Sequence, residues 1–166
     1  MVKIEKYKIE AANEYEKEEI QALYDIQKGK EFCPWTDEYP TVSEIEFDLE
    51  RNALFVMKNA DNKIIAAISI DEDEAVKSLD FWNKELSPGG EVARLAVLPE
   101  YQGQKIAARM IEYVMQVLKE RGYKSIHFMV NKYNTKALNA YRNLNFNNVG
   151  EIFIYDQHMM CYEKEL

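Results

Sequence analysis

The stretch Glu91–Arg109, EVARLAVLPEYQGQKIAAR, predicts a strand, a tight turn and a helix in immediate succession. Val92 to Leu98 is a short apolar run, and Pro99 ends it because proline has no amide proton with which to continue a ladder. After Glu100-Tyr101-Gln102-Gly103, apolar residues return at helical spacing: Ile106, Met110, Val114, Val117 and Leu118. Gly122, just past Lys119 and Arg121, stands where a helix C-terminus wants a glycine. A strand that enters a helix through a glycine turn gathers backbone N–H groups and the positive end of the helix dipole, which together attract an anion. Lys105 and Arg109 lie one turn apart at this end, where the dipole disfavours cations by roughly 0.3–1 kcal/mol each. A bound phosphate reverses the sign of that cost; two solvated surface cations near Glu100 and Glu112 are the competing reading.

The rest of the chain alternates strands and helices. Met1 to Ile9 predicts an edge strand, and Glu14 to Lys28 a helix with Tyr15, Ile20, Leu23, Tyr24 and Ile26, ended by Gly29. Glu31 to Pro40 is an aromatic loop broken by two prolines. Thr41 or Ser43 caps a helix through Leu49, with Glu44 or Glu46 completing a capping box. Leu54–Met57 and Lys63–Ile70 pair as strands across the turn Asn59–Asn62. Asp71 to Gly90 is an irregular acidic loop. A strand over Lys124–Val130, a helix over Asn134–Leu144 with Asn134 as its cap, and strands over Phe146–Tyr155 and His158–Glu163 complete the pattern.

At 166 residues this is one domain, 1–166, with room for a substantial core. The two cysteines, Cys33 and Cys161, lack a CxxC or a histidine pair. They predict buried free thiols, no metal site and a reducing, cytoplasmic compartment. The net charge of −8 argues against nucleic acid and anionic membranes as partners. Met1 to Lys6 alternates in polarity, with no secretory apolar core, and no run is long enough to span a bilayer.

Two motifs carry a family resemblance. Gln102-Gly103-Gln104-Lys105-Ile106-Ala107 resembles the Q/R-x-x-G-x-G/A signature of the GCN5-related N-acetyltransferases, after a strand Arg94–Pro99 similar to that family's fourth strand. Asn134-x-x-Ala137-x-x-x-Tyr141, followed by Leu144-Asn145-Phe146, resembles the family's N-x-x-A-x-x-x-Y…G-F element. Lys105 replaces the family's first motif glycine, and Asn145 stands where the family usually has glycine. Asparagine tolerates the left-handed conformation there.

The resemblance implies an α/β (α+β) acyl-CoA N-acyltransferase fold: a central mixed, mostly antiparallel sheet with helices on both faces. It implies acetyl-CoA as co-substrate, with its pantetheine arm along the backbone of Leu95, Ala96 and Val97. The pyrophosphate would rest on Gln102, Gly103, Gln104, Lys105, Ile106, Ala107 and Ala108, with Asn134 a further contact. The N–H of Val97, or of a neighbour at a bulge, would bind the developing oxyanion.

Tyr141 is the candidate general acid; as one of the stripe Ala137, Leu138, Tyr141 and Leu144 it also reads as packing. An alkylammonium near pKa ~10.4 costs roughly 4.6 kcal/mol to deprotonate at pH 7, so a base or water relay is expected. Glu91 is the first candidate and Glu72 the second, each also readable as a solvated strand-end carboxylate. His127 and His158 read as structural histidines, and Asp71-Glu72-Asp73-Glu74 as a solvated loop. Phe32, Trp35, Tyr39, Phe81 and Trp82 are either acceptor-site walls or plain packing.

The resemblance implies as acceptor a primary amine of a small molecule or protein, and a homodimer is compatible with such a domain. The alternative is an acyl-CoA-binding module without turnover, for which Lys105 is the hint.

Overall fold

The computed structural model describes residues 6–166. In chain order its elements are β1 (Lys8–Ala11), α1 (Lys17–Gln27), α2 (Val42–Glu50), β2 (Leu54–Lys58) and β3 (Ile64–Asp71). They continue with α3 (Glu74–Lys77), β4 (Gly89–Val97), α4 (Ile106–Glu120), β5 (Ser125–Asn131), α5 (Thr135–Tyr141), β6 (Asn147–Ile154) and β7 (Gln157–Glu165). The strands are hydrogen-bonded in the order β1-β2-β3-β4-β5-β7-β6. The β1–β2, β2–β3, β5–β7 and β6–β7 pairs are antiparallel, and β4–β5 is parallel. This is the mixed, mostly antiparallel α/β sheet expected. The chain gathers into two compact units: the described residues up to Ser69 with Arg94–Met110, and Ile70–Ala93 with Ile111–Leu166.

In the first unit every residue of β2 is buried, as is β3 up to Ile70, which is how strands covered on both faces read. Helix α1 turns Ile20, Leu23, Tyr24 and Gln27 inward at i, i+3, i+4, i+7 spacing. Two residues of the expected stripe face water instead: Tyr15 is 97% exposed on a preceding 3-10 turn, and Ile26 is exposed on α1. Thr41 and Glu44 form the capping box at α2, with Glu44 Oε2 accepting from the Thr41 N–H at 2.6 Å. Between β2 and β3, Asn59 Oδ1 accepts from the N–H groups of Asp61 and Lys63, both at 3.0 Å. Asn62 is left-handed there, so this connection has the turn chemistry expected of it.

In the second unit, Gly90 lets α4 close on β4; a Cβ there would lie 2.5 Å from Leu118. Here helix α4 buries Ile111, Val114 and Leu118, while Val117 is only half-buried; its first turns bury Ile106 and Met110 in the first unit. It ends as predicted at Gly122. The Tyr123 N–H reaches the Leu118 carbonyl at 3.0 Å and the Gly122 N–H reaches Lys119 at 3.1 Å, a Schellman closure. Asn145 is left-handed at φ 59 after α5 and its trailing 3-10 turn. The β6–β7 hairpin turns on Tyr155 and Asp156, both with positive φ.

Three expectations need correction. The segment 71–88 is not irregular throughout: Asp73 caps the short α3, and a 3-10 turn follows at Lys84–Leu86. Cys33 is half-buried, whereas Cys161 is buried as expected, and both are free thiols. His158, expected to be a satisfied structural histidine, is instead exposed, with Phe153 and Tyr133 against its ring. Of the expected first strand, Met1–Glu5 lie outside the described residues. Among the described residues no helix is long and apolar enough to cross a membrane.

Candidate active site

In the first unit, Pro99 opens a single 3-10 turn after β4, and α4 starts at Ile106. Between them, Gly103 has φ 81 and Lys105 φ 61. A left-handed lysine costs roughly 1–2 kcal/mol relative to ordinary helical backbone, and here it keeps the turn in the form a glycine would adopt freely. Lys105 thus takes a φ that the motif glycine would take without strain. Lys105 then starts the helical ladder, its carbonyl accepting from the Arg109 N–H at 3.1 Å. The N–H groups of Ile106, Ala107 and Ala108, in the first turn of α4, lie too early in the helix to have intrahelical acceptors. Tyr7 braces this turn by donating its hydroxyl proton to Gln104 Oε1 at 3.0 Å, and its ring meets Tyr101 edge-on at 5.8 Å. Asn59 in turn donates to the Tyr101 hydroxyl at 3.0 Å. These aromatic braces are separated in sequence by too many residues for any local pattern to announce them.

On β4, burial alternates regularly. Ala96 points inward, while Leu95 and Val97 are half-buried. The Val97 carbonyl accepts from Gln27 Nε2 at 3.1 Å, so α1 holds the end of the strand. Arg94 has φ 48 within the strand, the left-handed interruption that marks a bulge-like kink. The two aromatic candidates beside this region are engaged. Trp35 packs edge-on against Tyr24 at 5.3 Å, and the Tyr39 hydroxyl accepts from Arg94 Nη1 at 2.8 Å.

The second unit carries the titratable candidates. Glu91 on β4 brings its carboxylate to those of Asp71 and Asp73, with one oxygen of each within 4.8 Å of the others. The Tyr155 hydroxyl donates to Asp73 Oδ2 from the tip of the β6–β7 hairpin. The acidic run is thus not simply solvated: two of its members join Glu91 to concentrate negative charge. Glu72, the second base candidate, is turned outward into an ion pair with Lys77 at 3.1 Å.

Tyr141 closes α5, with its ring edge-on to Phe128 at 5.2 Å. The side chain keeps some exposure, yet desolvation pushes its phenol up to about 12. Among the described residues its hydroxyl has no hydrogen-bond partner. Asn134 caps α5 as expected, its Oδ1 accepting from the Ala137 N–H at 3.1 Å.

His127 is buried under Trp82, ring centroids 4.3 Å apart, and desolvation holds its imidazole down to about 4, with Lys77 adding to the effect. It is a neutral packing residue, as expected. Phe81 and Trp82 also pack: Phe81 covers Gly150, where a Cβ would lie 2.6 Å from its ring, and Trp82 Nε1 donates to the Val76 carbonyl at 2.8 Å.

Solved structures of low sequence identity share the fold. A GNAT-family acetyltransferase from Listeria monocytogenes superposes with a TM-score of 0.75 at 15% identity, covering 96% of this chain and 95% of that one. The NatC complex bound to Gag peptide and CoA contains a chain matching at 0.74 and 16% identity, over 97% of this chain and 99% of that one. The ribosomal-protein-S18-alanine N-acetyltransferase of Escherichia coli matches at 0.69 and 16% identity, with 96% and 93% covered. No curated protein sequence matches significantly. The model of the acetyltransferase (GNAT) family matches residues 20–146. That span takes in β4, the left-handed turn and Tyr141, and on it the chain belongs to the acetyltransferase (GNAT) family, which supports an acyl-CoA-dependent acyltransferase activity.

Proposed function

We propose that this protein is an N-acetyltransferase that moves the acetyl group of acetyl-CoA directly to a primary amine within a ternary complex. The observation that carries the reading is the β4–turn–α4 segment of a GNAT-family chain, with Gly103 and Lys105 left-handed ahead of the first-turn N–H groups of α4. In this reading the chain works as one acetyltransferase domain in the cytoplasm. The pyrophosphate rests on the N–H groups of Gln102 to Ala108, with the Lys105 ammonium as a point charge beside it. The pantetheine amides follow the backbone of Leu95 to Val97, and Asn134 contacts the cofactor while capping α5.

The chemistry then needs little beyond these groups. The amine nitrogen attacks the thioester carbonyl carbon, and the oxyanion that forms takes a hydrogen bond from a β4 N–H. Glu91 accepts the proton the amine must shed, directly or through water. As the tetrahedral centre collapses, the C–S bond breaks and the leaving sulfur takes a hydrogen bond from the Tyr141 hydroxyl. The carboxylates of Asp71, Asp73 and Glu91 favour an acceptor that arrives as a cation, whether a small polyamine-like molecule or a protein amine. Among the structural relatives, one is named for acetylating the alanine of a ribosomal protein and another is bound to a peptide; a polypeptide amine therefore belongs in any acceptor panel.

The test is calorimetric titration with acetyl-CoA beside desulfo-CoA and ATP. One-site binding of both CoA ligands and not of ATP supports the reading; absence of CoA binding overturns it. Turnover of acetyl-CoA in the presence of a panel of amines then separates an enzyme from an acyl-CoA-binding module.

A further inference from the structure

A buried ionic network stands behind the left-handed residue of β4, and its members lie outside the Gln102–Ala107 and Asn134–Phe146 motifs. The Arg94 guanidinium, 3% exposed, grips the fully buried Asp48 of α2 with both arms of its fork: Nη2 to Oδ1 at 2.8 Å and Nε to Oδ2 at 3.1 Å. Each carboxylate oxygen has a second donor. Ser69 Oγ, on β3, reaches Oδ2 at 2.6 Å, and Arg51 Nη2 reaches Oδ1 at 2.6 Å. The remaining arm of Arg94 donates to the Tyr39 hydroxyl at 2.8 Å.

Arg94 is also the strand residue held at φ 48. Arginine has no intrinsic reason to adopt that conformation, which glycine or asparagine would take more readily. It persists only because the surroundings over-determine it. An arginine, unlike a glycine, can be anchored from α2 and β3 by its side chain. A buried ion pair is also a poor device for stability, because desolvation offsets most of the attraction; what a two-armed, planar contact supplies is direction.

That direction is imposed on Leu95, Ala96 and Val97, the next three residues of the strand. The β4–β5 register runs from Gly89↔Ser125 to Glu91↔His127, and the left-handed residue comes three positions later. A kink of this kind re-aims the peptide groups beyond it. We propose that Asp48 and Arg94 are positioning residues for acyl transfer: their buried bidentate pair locks the left-handed turn of β4 so that the N–H groups of Leu95 to Val97 keep a fixed aim at the thioester carbonyl. This rests on the reading of β4 as the acyl-binding strand. Neither residue touches the substrate; both act through the backbone.

The experiment is isotope-edited infrared spectroscopy of acetyl-CoA carrying ¹³C at the thioester carbonyl, bound to the full-length protein. The carbonyl stretch of the wild-type complex lies below that of free acetyl-CoA. In Asp48→Asn and Arg94→Lys, at least about half of that shift is lost and turnover falls about tenfold or more, while desulfo-CoA affinity stays within about threefold. A purely structural role would leave the carbonyl frequency of the folded fraction unchanged, so full retention of the shift in a variant with native circular dichroism overturns the proposal. If Asp48→Asn fails to fold, Tyr39→Phe removes one hydrogen bond from the outer arm of Arg94, and a partial loss of the shift supports the same conclusion. A wild-type protein that does not bind acetyl-CoA overturns the functional reading itself, and the positioning role with it. A wild type that binds without any carbonyl shift overturns the positioning role alone.

Discussion

Replacing Tyr141 by phenylalanine removes one oxygen and leaves the ring where it is, edge-on to Phe128 at 5.2 Å. The phenol is pushed up to about 12 by desolvation, whereas a thiol titrates near 8.5. Handing the proton fully to the departing thiolate is therefore uphill by roughly 5 kcal/mol. In the proposed reaction the group works instead by donating a hydrogen bond to sulfur as negative charge grows there. A hydrogen bond to a charged partner contributes about 1.5–3 kcal/mol, which sets the loss in Tyr141→Phe at roughly 10–150-fold in kcat. The hydroxyl has no partner among the described residues, so deleting it orphans nothing, and the melting temperature should hold within about 2 °C.

The assay is thiol release from acetyl-CoA with whichever amine of a panel is turned over fastest, read beside calorimetric affinity for acetyl-CoA. Since Tyr141 titrates above the usual working range, the variant lowers the rate between about pH 6 and pH 10 without altering the shape of the profile. Turnover within about twofold of wild type refutes the argument, as does a rate loss matched by an equal loss of acetyl-CoA affinity.

Glu91→Gln removes the proposed base; the rate at neutral pH falls by about 10²–10⁴ and recovers as rising pH supplies free amine, and an unchanged pH profile would reject the role. The same change removes one of three neighbouring carboxylate charges. Lys105→Gly releases a left-handed side chain and raises the melting temperature by about 2–4 °C, while weakening acetyl-CoA binding more at low salt than at high salt. A salt-independent affinity would remove the ammonium from the phosphate site.

His127 supplies a pH test of stability. Its folded value, near 4, lies below the unfolded value, so the unfolded chain binds more protons between those limits. Its contribution is intact above about pH 6.5 and is lost as pH falls towards 4, by about 3 kcal/mol in total. Denaturant titrations of wild type and His127→Phe at several pH values should show the wild type losing that much more on acidification; parallel acid limbs would refute the assignment.

Several features were legible in the chain because they are short-range. Pro99 ends β4, Gly103 makes the turn, Asn134 and Thr41 cap their helices, and Gly122 and Asn145 terminate theirs, each acting within about four residues through its own φ preference or a nearby N–H. The two motifs that carry the family resemblance are of the same kind, being a turn and a helix start whose chemistry lies in local backbone groups. Even Lys105 obeys the turn in which it sits, although its type predicts otherwise.

The arrangements that required the folded chain join distant residues. Asp48 meets Arg94 only because α2 and β3 bring Asp48 and Ser69 to the kink of β4. Tyr7 reaches Gln104 across 97 positions, and Tyr155 reaches Asp73 across 82. Glu91 gains two carboxylate neighbours, one from the end of β3 and one from the cap of α3. In sequence each of these side chains is an ordinary surface-type residue, because a charge or hydroxyl carries no local signature of its eventual partner. Strand register and helix docking choose that partner, and those are settled by burial over the whole core, which no short window of residues contains.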